Sequence, residues 1–394
     1  MTDVLLTQQA DFDELCSEIR DAGIVAFDTE FISENSFRPK LCLVQFATPD
    51  RAVAVDPFGI DLTAWWDIMI DDVTTVIVHS GKEETRFCLT SCGQRPRRMI
   101  DVQIAEGLRG NSYPLSYERL IGRVMGKSVE STETRTDWSR RPLTQKQIDY
   151  AIDDVRYLIP CWNKQRDWLT KNDRLWWALE EFERLIDDMQ AERGEDTWMR
   201  LSGIRRLSSR QLAVARELYR WRSADAESRD QPIRRVLKDD TLIELARRQP
   251  QTEEELLNSR DTNRTSLRRV APAIVECIIR ALALPKTELP EVFDVPESSH
   301  DEPVLVKILA IALANRCVEL DISHGLVGSA NDLRNLVRWY SQKCPDDDRP
   351  RLMKSWRAEV CGDLLRNVIE GKISLRVTDP SSEHPLVFEP VREQ

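Results

Sequence analysis

The chain is poor in histidine, with four among 394 residues, at positions 79, 300, 324 and 384. Residues so scattered exclude a histidine-based metal site. A cysteine framework is missing too. Nine cysteines are an odd number without a repeating spacing. The nearest pair, Cys88 and Cys92, has no second pair or nearby histidine to complete a zinc site. Reduced, mostly buried thiols are expected. No apolar run approaches membrane-spanning length, and the start, Met1-Thr2-Asp3-Val4, carries no basic-then-apolar export signal. A cytoplasmic protein without membrane association is the expectation. Positive charge is not in excess either: the formal net charge is −11. That argues against a nonspecific nucleic-acid coat and leaves room for a local basic surface.

What is present is a balanced composition, 41% hydrophobic and 31% charged, on a chain long enough for two or three domains with cores of their own. The stretch that organises the rest is Ile24-Val25-Ala26-Phe27-Asp28-Thr29-Glu30-Phe31. Four apolar residues predict a strand buried on both faces. Side chains alternate along a strand, so Asp28 and Glu30 point to the same side. Two carboxylates brought together at the end of an apolar strand repel each other and resist burial; a divalent cation would compensate. The bland alternative is a strand running into a polar loop.

Around it the pattern is strand-rich first and helix-rich after. Residues 10–22 read as a helix with Phe12, Leu15, Cys16 and Ile19 on one stripe. Leu41–Ala47 and Ala52–Asp56 read as strands that complete an antiparallel meander with the first. A helix fits 61–70. Thr75–His79 is a further strand, 82–92 a helix, and Met99–Asp101 a short strand. Helices follow over 102–109 and 115–125, then one long helix from Thr144 to near Lys171. This is an α/β domain over 1–172. Residues 173–203 read as a connecting helix, and 204–284 as an all-α unit in which Asp239 and Asp240 cap a helix. In residues 201–280 there are 17 Lys/Arg against 12 Asp/Glu. That local excess suits a nucleic-acid-facing surface or a solvated charged face. A proline-rich linker over 285–302, a second helical unit over 303–377 and a loose tail over 378–394 complete the chain.

Three acidic stations carry the chemistry. They are Asp28 with Glu30, the Glu83-Glu84 pair after strand Thr75–His79, and Tyr150 with Asp154. Tyr150 and Asp154 are four apart and share one helix face, whereas Asp153 points elsewhere into solvent. Four carboxylates and a phenol match the needs of two-metal phosphodiester hydrolysis. Mg²⁺ takes a few carboxylates and keeps waters and phosphate oxygens as its other ligands. One ion activates the attacking water, the other stabilises the leaving 3′ oxygen, and the phenol positions the water.

Asp28-Thr29-Glu30, the region His79-Ser80-Gly81-Lys82-Glu83-Glu84, and Tyr150-x3-Asp154 resemble the three exonuclease motifs of the DEDD superfamily, in its tyrosine-bearing subgroup. The stretch Arg135–Thr144 resembles ribonuclease D in particular, as does the order of the whole chain. The resemblance implies an RNase H-like mixed-sheet exonuclease domain followed by two all-α HRDC-like domains. It implies a 3′→5′ exoribonuclease that releases nucleoside 5′-monophosphates with two Mg²⁺ or Mn²⁺ ions. Its partner would be RNA, tRNA precursors above all, and the enzyme a monomer. Asp28 would bridge both ions, Glu30 and Asp154 would hold the ion carrying the nucleophilic water, and Tyr150 would orient that water. The second-motif acid, Glu84, stands where the family usually has Asp, with Glu83 as the fallback if the register shifts by one. Candidate substrate contacts are Phe31 and Gln45 beside the central acids, Trp138 as a base-stacking ring or a plug, and Arg135, Arg140 and Arg141 as phosphate grips. His79 reads as structural and Asp101 as a helix cap. A 3′→5′ exodeoxyribonuclease and a catalytically weak RNA-binding protein are the alternatives.

Overall fold

The computed structural model describes residues 4–129, 136–192, 195–257, 265–293, 302–342, 344–382 and 385–391. Its first part alternates β1 (Val4–Leu6), α1 (Gln9–Ala22), β2 (Ile24–Ile32), β3 (Lys40–Ala47), β4 (Ala52–Val55), α2 (Thr63–Ile70), β5 (Thr75–Val78), α3 (Lys82–Cys92) and β6 (Met99–Asp101). Helices α4 (Val102–Gly107), α5 (Tyr117–Met125), α6 (Gln145–Arg156), α7 (Leu158–Lys171) and α8 (Leu175–Ala191) follow. The six strands form one sheet in the order β1-β4-β3-β2-β5-β6. The β2–β3 and β3–β4 pairs are antiparallel, as the meander predicts, and the other three are parallel. Strand β1 escaped the sequence reading because three residues are too few to show alternation.

Strand β2 is central, and its two faces do different work. Phe27 packs against Trp65 of α2, with ring centroids 4.6 Å apart, and against Phe46 of β3 at 5.3 Å. Asp28 and Glu30 lie on the other face, in register with Gln45 and Leu43 of β3. That face is covered by α6, through Cys42, Leu43, Ala54, Leu143, Ile148, Ala151 and Ile152. A bulge between Glu30 and Phe31 ends the regular ladder just past the two acids. Bulges re-aim side chains in this way at the rims of sheets.

The long helix expected from Thr144 to Lys171 is two helices that break at Tyr157. Pro160 supplies the reason: its ring displaces the carbonyl four residues back, at Arg156, and it has no N–H to continue the ladder. Thr144 caps α6 in a reciprocal capping box with Gln147. The expected connecting helix ends at Ala191, and 3₁₀ turns occupy Glu195–Arg200 and Ile204–Arg206.

A second helical array comprises α9 (Ser209–Ser228), α10 (Ile233–Val236), α11 (Asp239–Arg248), α12 (Glu253–Leu257) and α13 (Thr265–Ala283). Its core is its own, centred on Leu212, Leu218, Leu242 and Ile274. Asp239 and Asp240 are not caps. They occupy the first turn of α11, where their charge suits the helix dipole. The last array holds α14 (Glu302–Glu319), α15 (His324–Val327), α16 (Ala330–Ser341), α17 (Ser355–Arg357) and α18 (Asp363–Ile369). Its apolar side is continuous with the core of the sheet domain. The segment expected as a loose tail pairs instead: β8 (Leu386–Pro390) runs antiparallel to β7 (Ile373–Val377). Among the described residues, no helix is long and apolar enough to cross a membrane.

Candidate active site

Three carboxylates from two distant segments converge. Asp28 and Glu30 of β2 and Asp154 of α6 each place one oxygen within 4.8 Å of the others. Tyr150, one turn before Asp154, donates its hydroxyl to the Asp154 carboxylate. Asp153 faces away and pairs with Arg156 at 3.1 Å.

Glu84 comes from the other side. Helix α3 starts immediately after Gly81, and a Cβ on Gly81 would lie 2.3 Å from a Val78 methyl, so only glycine allows this close start. The Ser80 and Gly81 N–H groups donate to the buried Asp101 carboxylate at 3.1 and 3.0 Å. Asp101 also caps α4 through the Gln103 N–H, the role expected of it. This anchored turn sets Glu84 beside β2. It is 3% exposed and accepts the Thr29 hydroxyl at 2.7 Å. Glu83 pairs with Arg86 instead.

The electrostatics of the four acids are those of a site built for a cation. Burial, then the charges of Glu84, Asp154 and Glu30, push the Asp28 carboxyl well above the usual carboxylate range. Burial, with Asp154 and Glu84, pushes Glu30 up to about 8. Glu84 and Asp154 are each pushed up to about 7, mainly by burial, against the restraining hydrogen bonds of Thr29 and Tyr150. Left alone, such a cluster holds protons. A hard divalent cation with oxygen preference would replace them, and the all-carboxylate donor set suits it. Burial and the surrounding acids push the Tyr150 phenol upward, so it is a neutral donor.

The remaining candidates divide. Phe31 sits at the rim, edge-on to Phe87 with centroids 5.6 Å apart. Gln45 is fully buried opposite Asp28, and among the described residues neither its Oε1 nor its Nε2 has a hydrogen-bond partner. Trp138 is 3% exposed and packs on Tyr150, so of its two expected roles this placement suits the plug and leaves no ring face open to a base. Arg140 is exposed and pairs with Asp137 at 3.1 Å. Arg141 is no phosphate grip: its guanidinium is spent on Asp56 and on the Cys42 carbonyl at 2.7 Å. Arg135 lies outside the described residues. His79 is structural, with Nε2 3.0 Å from the Leu115 carbonyl. One positioning residue was missed. The Tyr117 hydroxyl donates to the Asp153 carbonyl at 2.6 Å and fixes the turn of α6 that presents Asp154. No sequence pattern marks it.

A family model described as a 3′-5′ exonuclease matches residues 4–169, and an HRDC domain model matches residues 211–278. A protein of Gluconacetobacter diazotrophicus named ribonuclease D is 31% identical over 378 residues, covering 95% of this chain and 94% of that one. The chain belongs to the ribonuclease D family. The ribonuclease D of Bartonella henselae is 28% identical over 95% of this chain and 92% of its own length. The crystal structure of Escherichia coli RNase D, described as an exoribonuclease involved in structured RNA processing, superposes with a TM-score of 0.81. It is 27% identical and covers 94% of this chain and 99% of that one. As a ribonuclease D, the chain is a hydrolase of the 3′→5′ exoribonuclease type, with an exonuclease domain followed by helical HRDC architecture.

Proposed function

We propose that this ribonuclease D trims RNA 3′ ends to nucleoside 5′-monophosphates with two divalent cations, Mg²⁺ or Mn²⁺, and that tRNA precursors with 3′ extensions are its substrates. The observation that carries the reading is the meeting of β2 and α6, which puts oxygens of Asp28, Glu30 and Asp154 within 4.8 Å of one another beside the Tyr150 phenol. Asp28, Glu30 and Asp154 would hold one ion, and Asp28 with Glu84 would serve the other. When bound, the ions supply an activated water and neutralise charge developing on the phosphate and the leaving 3′ oxygen. The protein's own part is orientation. Tyr150 would orient the attacking water through a hydrogen bond at its phenol oxygen, whose own proton is held by Asp154. Thr29 donates its hydroxyl to Glu84 and holds that carboxylate beside β2. Phe31 at the rim and Arg140 on the surface are the groups we assign to the terminal nucleotide and its phosphate, and Gln45 forms the polar floor beneath them.

We further infer that it acts as a monomer. A cytoplasmic setting is supported by nine cysteines that are all free thiols among the described contacts. The test is incubation of 5′-labelled RNA carrying a 3′ extension with Mg²⁺ or Mn²⁺, comparing wild type with Asp28→Asn, and RNA with a matched DNA. A ladder shrinking from the 3′ end only with wild type and RNA is the expected result. Cleavage by Asp28→Asn at the wild-type rate, or persistence of the ladder in excess chelator, would refute the reading.

A further inference from the structure

Strand β3 is apolar through its buried part, Cys42 to Ala47, except at one position. Val44 and Phe46 enter the main core, and Leu43 packs under α6. Gln45 is the polar residue of this run and is 0% exposed. Alternation puts it on the face of Leu43, and the register sets it between Asp28 of β2 and Ala54 of β4. Directly opposed residues on antiparallel strands have Cβ atoms about 4.5–5.5 Å apart. The Asp28 carboxylate is therefore within reach of the Gln45 amide. Among the described residues neither end of that amide has a hydrogen-bond partner. Burying an amide with both ends open is costly, and an apolar side chain of the same length would fill the position without that cost.

The neighbouring acids supply a reason for it. Glu84 takes a hydrogen bond from the Thr29 hydroxyl at 2.7 Å, and Asp154 takes one from the Tyr150 phenol. Each of these carboxylates is thus steadied by a neutral side-chain donor. Asp28 feels the charge of all three other acids, and the donor that reaches it is the Thr29 N–H. An ionised carboxylate offers about four lone-pair positions. Thr29 takes one, and a carboxylate bridging two cations gives one to each. One is left, and Gln45 Nε2 is a buried donor short of an acceptor on the adjacent strand. A neutral amide leaves the acid its full charge for the cations, whereas a lysine or arginine there would compete with them.

We propose that Gln45 is a positioning residue for the reaction: in the cation-loaded site its amide donates to the Asp28 carboxylate and fixes the orientation in which that carboxylate bridges the two ions. The inference rests on the two-cation reading. Gln45 touches neither cation nor RNA and acts through Asp28. Its unpaired amide is tolerated in the core because the ligand it steadies is the one shared by both ions. Partners of this kind, one step behind a ligand, set metal affinity as well as ligand geometry.

The test exchanges the amide for a side chain of equal length without hydrogen-bonding groups, Gln45→Met, in the full-length protein. Gln45→Leu is carried through the same measurements, so that a poor fit of the thioether is not mistaken for loss of the amide. Mn²⁺ binding is followed by titration calorimetry and folding by a thermal melt in chelator. Mn²⁺ affinity should fall by about tenfold or more. The melting midpoint in chelator should match wild type or rise, because the fold itself gives the amide no partner. With 3′-extended RNA, kcat at limiting Mn²⁺ should drop while KM for the RNA stays put. Raising Mn²⁺ should restore most of kcat in Gln45→Met and none in Asp28→Asn. Added to Asp28→Asn, Gln45→Met should cost nothing further in Mn²⁺ affinity, since its route to the cations is already gone. Wild-type Mn²⁺ affinity in Gln45→Met and Gln45→Leu would overturn the proposal, whatever their melts. So would equal losses of affinity with and without Asp28→Asn, which would mean an effect that bypasses Asp28. Failure of wild type itself to bind Mn²⁺ or shorten RNA would overturn the two-cation reading and this inference with it. A wild type that does both, matched by its Gln45 variants, would overturn this inference alone.

Discussion

At the scale of single residues, the metal-free acids govern both stability and cation binding. Asp28, Glu30, Glu84 and Asp154 all keep their protons to a higher pH in the fold than an unfolded carboxyl does. Between about pH 4.5 and about pH 8 the native state therefore binds more protons than the unfolded chain, and stability falls as pH rises through that window. Asp28→Asn removes the most crowded of the four. In chelator it should raise the melting temperature at about pH 8, on the order of 2 kcal/mol of stability, and change little at about pH 5, where the cluster is already protonated. Melting curves at the two pH values decide; equal gains at both would mean that charge crowding is not the cause. Thr29 offers a second handle. Thr29→Val keeps the shape and removes the donor that holds Glu84. Losing such an outer contact should weaken one Mn²⁺ site by about tenfold or more and leave the other as it was, read by titration calorimetry. Two sites that both keep wild-type affinity would show that Glu84 needs no tether.

Elements decide whether those residues meet. Helix α6 presents Tyr150 and Asp154 only because the segment before it is pinned to the sheet. Arg141 binds Asp56, the Cys42 carbonyl and the Trp138 carbonyl. Burial pushes the Asp56 carboxyl up, but the Arg141 guanidinium outweighs it and holds it below the usual range. Arg141→Met strips that buried acid of its partner and should cost about 2 kcal/mol, measured by urea denaturation, with a fall in kcat as α6 loosens. An unchanged denaturation midpoint would make the pair ornamental. The same elements show what could be read from the residues alone. The apolar run Ile24–Phe27 and the one-residue gap between Asp28 and Glu30 expose the central strand and its acidic face, because strand periodicity is local. The four-residue gap between Tyr150 and Asp154 is equally local. The Thr29–Glu84 bond spans 55 positions and the Tyr117–Asp153 bond 36, and no short-range pattern encodes either. The break in the long helix was encoded, in Pro160. It is easily passed over, because proline within the first turn of a helix is tolerated and marks a start as readily as a stop.

For the whole molecule, the informative feature is the number of cores. Read from residue patterns, 303–377 stands as a helical unit apart. In the fold, apolar residues from 306 to 365 belong to one continuous core with those from 6 to 189, and the array α9–α13 keeps a separate one. The seam is built around Glu181, fully buried in α8. It accepts the Arg357 guanidinium at 2.6 Å and the Trp356 indole N–H at 3.1 Å, while Trp177 and Trp356 stack 5.2 Å apart. Burial pushes the Glu181 carboxyl up, but Arg357 and Arg184 outweigh it and hold it at about 2. The contribution of the pair is thus complete at neutral pH and is lost as pH falls from about 4.5 through about 2. Glu181→Ala leaves Arg357, 2% exposed, as an uncompensated buried charge. Unfolding of the shared core, followed by the fluorescence of the stacked tryptophans, should be destabilised by about 3–5 kcal/mol. The double change Glu181→Gln with Arg357→Met should recover much of that loss, because it removes the stranded charge as well as the pair. The α9–α13 core is an internal control, expected to unfold at its wild-type midpoint in both variants. If Glu181→Ala shifted that core equally, or shifted neither, the last helical array would not be fused to the catalytic domain through this seam.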